Sequence, residues 1–196
     1  MLNLTSGLPF GGLGRAVPTY DKALATPLRD APGTTFRYSG IPLQVFGAVI
    51  SRKLMARGLS PHAYLRERVL EPIGVSLSSW RSLADGTQPL PTGAFATAPQ
   101  WLDYGRFLLH AACGGSGDDV AARSVARCFE GSAANPRYGL SFWLYPGAAG
   151  VVPYASGSGG QALYVIASER LVVVRFGDHA SFKHEAFLSR LLPPLR

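Results

Sequence analysis

A chain of 196 residues is long enough for one compact domain with its own core, and a composition of 47% apolar against 16% charged residues excludes an intrinsically disordered chain. The formal charge of +7 is dispersed over pairs such as Arg52 and Lys53, Arg66 and Arg68, and Arg123 and Arg127, without the clustering and interleaved aromatics of a nucleic-acid surface, so no nucleic acid is expected as partner. No apolar run reaches the length of a membrane span, and the histidines His62, His110, His179 and His184 show no metal-ligand spacing, so neither a span, a metal nor another cofactor is expected.

Residues 1–35 read as irregular: LPFGGLG and APGTTF are punctuated by Gly and Pro, and Ala31-Pro32-Gly33 suits a tight turn. A helix is predicted over 42–56, where Leu43, Phe46, Val49, Ile50 and Leu54 recur at three- and four-residue steps, with Pro42 in the first turn and Gly58 as the stop. Ser60 is placed to cap a second helix with Pro61 at its first position, Leu65, Val69 and Leu70 on its buried face, and Glu71-Pro72-Ile73-Gly74 at its end. Residues 76–97 read as loop with short strands. A helix follows over 99–112, weakened at Gly105 by about 1 kcal/mol relative to Ala.

A Gly-Asp loop and a short helix at 119–129 come next. Cys113 and Cys128 flank that loop and are compatible with a disulfide or with two buried thiols. Strand composition then dominates: 138–144, 161–167 and 170–176, the last two forming a hairpin across Ser168-Glu169. Leu171 to Val174 is apolar on both faces, which suggests a central strand. A terminal helix over 181–192 offers Phe182, Phe187, Leu188, Leu191 and Leu192 to the sheet. Helices early and an antiparallel sheet late give an α+β arrangement, expected as one domain over 1–196.

Two stretches have residues suited to chemistry. Tyr38-Ser39-Gly40 lies between a turn and a helix, and a tyrosine becomes a general base where a nearby cation lowers its pKa from about 10. Ala155-Ser156-Gly157-Ser158-Gly159-Gly160-Gln161 runs into a strand, where glycines admit a ligand close to the backbone and an N–H can face an oxyanion.

In order and spacing these pieces resemble the serine β-lactamase-related proteins. Leu4-Thr5-Ser6-Gly7-Leu8-Pro9 is similar to their T-S-G-L-P passage, and Phe36-Arg37-Tyr38-Ser39-Gly40 to their F-x-Y-S-N segment. Tyr64 to Val75 resembles a Y-L-x-E-R-V-L-x-P-L-G-M helix end, and Leu90 to Ala98 a G-G-L-x-S-T-A turn. Gly157 to Gln161 with Val172-Val173-Val174 resembles their closing G-x-G-G-Q and apolar strand. The resemblance implies a β-lactamase/transpeptidase-like fold and acyl transfer through a serine ester, the serine standing in S-x-x-K. It implies that Tyr38 is base and acid, that the Ser158 N–H faces the oxyanion, and that Ser39, Gly40, Ser156, Gly157 and Gln161 line the substrate. Small esters, amides or peptidoglycan-like molecules are the implied substrates. Relatives of this kind are periplasmic or secreted, but the N-terminus here has no basic region followed by an apolar core.

The sequence also departs from the pattern. No Ser is followed three residues later by Lys, no G-x-S-x-G supplies another nucleophile, and only Met1, Leu2 and Asn3 precede the T-S-G-L-P passage. Gly40 stands at the usual Asn, which removes a contact to a substrate amide, and Ala155 stands where many members have Lys or His. The expectation is the later portion of a serine hydrolase with the N-terminal part of the fold missing, inactive alone, and open to association through the surface so exposed. The alternatives are a ligand-binding pseudoenzyme and a nonfunctional remnant.

Overall fold

The computed structural model describes residues 1–114, 120–179 and 181–192. It divides into two compact units, Met1–Thr97 and Ala98–Arg196.

In the first unit, short α1 (Tyr20–Leu24) is followed by an extended run into α2 (Ile41–Met55), with Pro42 in its first turn as the sequence implies. The fully buried face of α2 is not the apolar stripe of the sequence. It comprises Ile41, Pro42, Gln44, Gly47, Ala48 and Leu54; of the stripe only Leu54 is among them, whereas Leu43, Phe46, Val49 and Ile50 are half-buried. The cause is local. Gly47 lets the Tyr20 ring lie directly on the helix, since a Cβ there would come 2.8 Å from the ring. Gln44, wholly buried, donates to the Pro18 carbonyl at 2.7 Å and accepts from the Leu90 N–H at 2.9 Å. One amide thereby satisfies two loop groups that would each cost about 1–3 kcal/mol if buried unpaired.

Helix α3 (Pro61–Leu65) starts at Ser60, whose hydroxyl accepts the Ala63 N–H at 3.1 Å. The chain continues through a wide helical turn at Arg66–Leu70 and a tight one at Glu71–Ile73, and leaves at Gly74 with φ 73°. The 76–97 segment is mostly loop around a ribbon of β1 (Ser79–Trp80) and β2 (Ala94–Phe95). The Trp80 indole N–H ties this loop together by donating to the Pro89 carbonyl at 2.9 Å and to that of Thr92 at 3.2 Å.

The second unit has helices α4 (Ala98–Ala112) and α5 (Val120–Cys128), strands β3 (Trp143–Gly147), β4 (Gly150–Gly157), β5 (Gln161–Ile166) and β6 (Leu171–Arg175), and helix α6 (His184–Leu191). The strands form an antiparallel meander in the order β3-β4-β5-β6. This is the expected α+β arrangement. The Gly-Asp loop at 115–119 lies outside the described residues. No helix among the described residues is long and apolar enough to cross a membrane. Cys113 and Cys128 are free thiols, one exposed and one half-buried.

Two strand expectations are corrected and one strand is added. The 138–144 segment enters its strand only at Trp143, because Ser141 takes φ 69° and the Gly139 N–H bonds the Phe142 carbonyl at 2.9 Å, closing a turn. Strand β4 is not anticipated at 150–154, where Pro153 gives the ladder no N–H. Among the described strands Leu171–Val174 lies at the end of the four-strand order rather than in its middle, and the fully buried strand is β5, with Leu163 to Ile166 at 0% exposure. Coverage explains the composition of β6. Val172 and Val174 pack with the cluster containing Leu108 of α4, and Val173 with the cluster containing Leu188 of α6.

Gly105 sits where α4 crosses this sheet. A Cβ there would overlap Val172 Cγ1 and lie 2.7 Å from Leu163 Cδ1. Ala gains about 1 kcal/mol of helix propensity, but overpacking a core contact costs about 1–3 kcal/mol, and both neighbours belong to a filled interior. Gly105→Ala is therefore expected to lower stability by up to about 2 kcal/mol in urea denaturation, rather than to raise it as the same change does on an exposed helix face.

Candidate functional site

The sequence-derived candidates divide between the units: Tyr38, Ser39 and Gly40 in the first, Ser156, Gly157, Ser158 and Gln161 in the second. Tyr38 is half-buried and held by its neighbours. The Arg37 N–H donates to the Leu4 carbonyl at 3.0 Å. The Arg37 guanidinium binds Asp30 through two bonds, Nε to Oδ2 at 2.5 Å and Nη2 to Oδ1 at 3.0 Å. That hydrogen bonding holds the Asp30 carboxyl below the usual carboxylate range, with Coulomb attraction from Arg37 and Arg29 adding to it. Asp30 is fixed in turn by the T-S-G-L-P passage, where the Gly7 carbonyl accepts from Arg29 at 2.8 Å and Asp30 at 3.1 Å. Gly7 has φ 82°, and a Cβ there would overlap the Asp30 carbonyl oxygen.

Ser39 is 1% exposed. Its hydroxyl donates to the Gly11 carbonyl at 2.9 Å and accepts from the Ile41 N–H at 3.3 Å, so it anchors the start of α2. Gly40 is pressed against the strand-like Gly11-Gly12 segment. Its N–H donates to Gly11 at 2.9 Å, and a Cβ would overlap the Gly12 carbonyl oxygen. An Asn side chain at position 40 has no room in this backbone arrangement.

In the second unit Ser156 and Gly157 close β4 opposite Ala162 and Gln161. Gly157 and Ser158 are exposed. The turn Ser158–Gly160 places Gly159 at φ 73° and Gly160 at φ 76°. Arg175 holds it, Nη1 donating to the Gly160 carbonyl at 2.5 Å while the guanidinium lies 3.8 Å from the Phe182 ring centroid. Gln161 is turned away along the loop: its amide donates to the Gly177 carbonyl at 2.8 Å and accepts from the Gly177 N–H at 3.4 Å.

The structure also assembles a group that spacing in the sequence does not reveal. Ser156 Oγ is 2.9 Å from His184 Nε2, and His184 Nδ1 is 2.7 Å from the Tyr164 hydroxyl. Burial and the nearby Arg175 charge both hold the His184 pKa below its ordinary value. Burial pushes the Tyr164 phenol up to about 12, with the neighbouring Tyr154 contributing and Arg175 opposing. His184 is 28 positions from Ser156 and carries no local motif. The only sequence signal was strand alternation, which puts Tyr154, Ser156 and Tyr164 toward the face covered by the last helix.

No protein-family model matches this chain, and no curated protein is a significant match to it. Solved structures do match. A Bacteroides dorei DSM 17855 protein assigned as a β-lactamase aligns at TM-score 0.67 and 17% identity, over 96% of this chain and 69% of its own. A Bacillus anthracis protein assigned as a 6-aminohexanoate-dimer hydrolase aligns at TM-score 0.74 and 16% identity, over 97% and 57%. A β-lactamase from Mycobacterium bovis aligns at TM-score 0.64 and 20% identity, over 98% and 68%. Class C β-lactamases, a penicillin-binding protein homologue from Caulobacter crescentus and EstCE1, a hydrolase with promiscuous acyltransferase activity, share the fold. The chain thus has the serine β-lactamase-related, β-lactamase/transpeptidase-like fold, and spans from 57% to 69% of the length of the first three structures.

Two outcomes follow from the geometry around Tyr38. Gly40→Asn is expected to destabilise the protein by about 1–3 kcal/mol, read by urea denaturation, because the new Cβ meets backbone rather than a side chain that can rotate away. The Asp30–Arg37 pair sets an acid limb. Its contribution is present above the unfolded carboxylate pKa near 3.9 and is lost as pH falls through the lower folded value. Thermal unfolding followed from pH 6 to pH 2 is expected to show a steeper loss for the native chain than for Asp30→Asn.

Proposed function

We propose that this chain is the later portion of a serine hydrolase that acts on esters or amides through an acyl-enzyme. The observation that carries this reading is a fold match over nearly the whole chain to proteins named as β-lactamases and as a 6-aminohexanoate-dimer hydrolase, together with Tyr38 braced at the F-x-Y-S position. In this reading Tyr38 transfers the proton between the attacking serine and the leaving group. The Ser158 N–H stabilises the tetrahedral oxyanion. Ser156, Gly157 and Gln161 lie along the strand side of the substrate, and Ser39 and Gly40 shape the backbone next to Tyr38. The attacking Ser and its Lys are not within residues 1–196, because no S-x-x-K occurs there. The chain is then inactive in that reaction unless such a segment is supplied.

The second reading is a non-catalytic module that binds a peptidoglycan-like or acyl ligand. Gly40 favours it over a β-lactamase, since the Gly12 carbonyl excludes the Asn that would contact a substrate amide.

The two are separated by joining a segment bearing S-x-x-K ahead of Met1 and assaying nitrocefin and a panel of p-nitrophenyl esters. The hydrolase reading expects turnover above that of the unjoined chain, reduced about 10²–10⁴-fold by Tyr38→Phe. Turnover undiminished in Tyr38→Phe would remove Tyr38 from the reaction. A folded fusion that binds penicillin reversibly without turnover would favour the binding module.

A further inference from the structure

The Ser156, His184 and Tyr164 side chains come from β4, α6 and β5 of the second unit, and the reading of Tyr38 makes no use of them as a set. Their order is that of a nucleophile, a base and a group that orients the base. Tyr164 is wholly buried, with ring centroids 5.6 Å from Tyr154 and 5.3 Å from Phe187, so its hydroxyl is a fixed point. His184 is enclosed by Tyr154 at 5.3 Å and by the edge of Phe182 at 5.1 Å. The charged and titratable groups facing it are Arg175 from β6, Tyr154 from β4 and Tyr164 from β5. None of them is a carboxylate, and burial together with the Arg175 charge disfavours the imidazolium. Ser156 is half-buried near the exposed end of β4, where Gly157 and Ser158 face solvent.

We propose that Ser156 and His184 form a nucleophile–base pair for acyl transfer from activated esters, with Tyr164 as the residue that positions the imidazole. The step uses the tautomer in which His184 Nδ1–H donates to the Tyr164 oxygen, so that the lone pair of Nε2 faces the Ser156 hydroxyl. As Ser156 Oγ bonds to the ester carbonyl carbon, its proton passes to Nε2. The carbon–oxygen bond to the leaving group then breaks, and the departing oxygen takes that proton. Water attacks the acyl-Ser156 and gives its own proton to Nε2. Ser156 Oγ recovers it as the acid is released. The site is distinct from the S-x-x-K chemistry, which residues 1–196 do not encode, so its test on this chain leaves the reading of Tyr38 untouched.

The experiment is to treat the native 196-residue chain with a fluorophosphonate probe and map the adduct by peptide mass spectrometry. The reaction joins phosphorus to Ser156 Oγ, expels fluoride and delivers the proton to His184. The expected result is one adduct, on Ser156, lost when the protein is denatured before labelling. It is abolished in Ser156→Ala, slowed about 10²-fold or more in His184→Gln, and unchanged in Ser124→Ala, with circular dichroism confirming that each variant is folded. p-Nitrophenyl acetate should follow the same pattern. No adduct on the folded native chain, an adduct on another residue, or labelling unaffected in folded His184→Gln would each overturn the proposal, and none of these needs Ser156→Ala to fold.

Discussion

Strand β5 is the constraint on which the second unit depends. Every side chain from Ala162 to Ile166 is buried, and alternation sends them to two different cores. Leu163 and Val165 meet α4 and α5, while Ala162, Tyr164 and Ile166 meet the layer of α6. A fully buried side chain of this size contributes about 1.5–3 kcal/mol, so the strand fixes both helical layers at once. Register follows, because a slip of one residue would exchange the two faces. The Tyr164 hydroxyl that meets His184 and the Leu163 methyl that forbids a side chain at Gly105 are opposite sides of that single strand.

The first unit achieves order differently. Its candidate segment is placed by carbonyl-to-glycine approaches and by a few polar anchors rather than by a large apolar cluster. Gly7 against Asp30, Gly40 against Gly12 and Gln44 between Pro18 and Leu90 each join chain segments far apart in sequence. Such contacts admit almost no change in side-chain volume, yet they leave the intervening Tyr38 defined by its two neighbours, Arg37 and Ser39.

The legible part of this molecule is what local chemistry dictates. The first turn of α2 around Pro42, the cap of α3 at Ser60 and the β5–β6 hairpin follow from proline geometry, a hydroxyl acceptor and strand composition. What stayed hidden depends on partners distant in the chain. The periodicity of α2 identifies an apolar stripe, but Tyr20 and Gln44 decide which face is buried most deeply. The valines of β6 read as central because both their faces are covered, and composition reports coverage, not lateral position. Gly105 reads as a weak point in a helix until the sheet beneath it is known. His184 showed no spacing because its partners lie on other strands.

These restrictions also bear on how chemistry is distributed. Around the β4–β5 turn, Gly159 is closed off by the Gly177 carbonyl and Gly160 by Arg175 and Phe182, so neither can gain a side chain without moving the loop. Around α2, Gly40 is closed off in the same manner by Gly12, and Ser39 is committed to the helix start. The backbone motifs that resemble a hydrolase are thus held by packing in their own right, and their retention does not require catalysis. The Ser156–His184–Tyr164 contact has no equivalent packing reason to be polar: its positions adjoin an aromatic cluster in which Phe182 and Phe187 fill similar space. Three linked polar groups on an otherwise apolar face of the sheet cost desolvation that an apolar set would not incur, and the proton transfer proposed for them is a role that an apolar set could not fill.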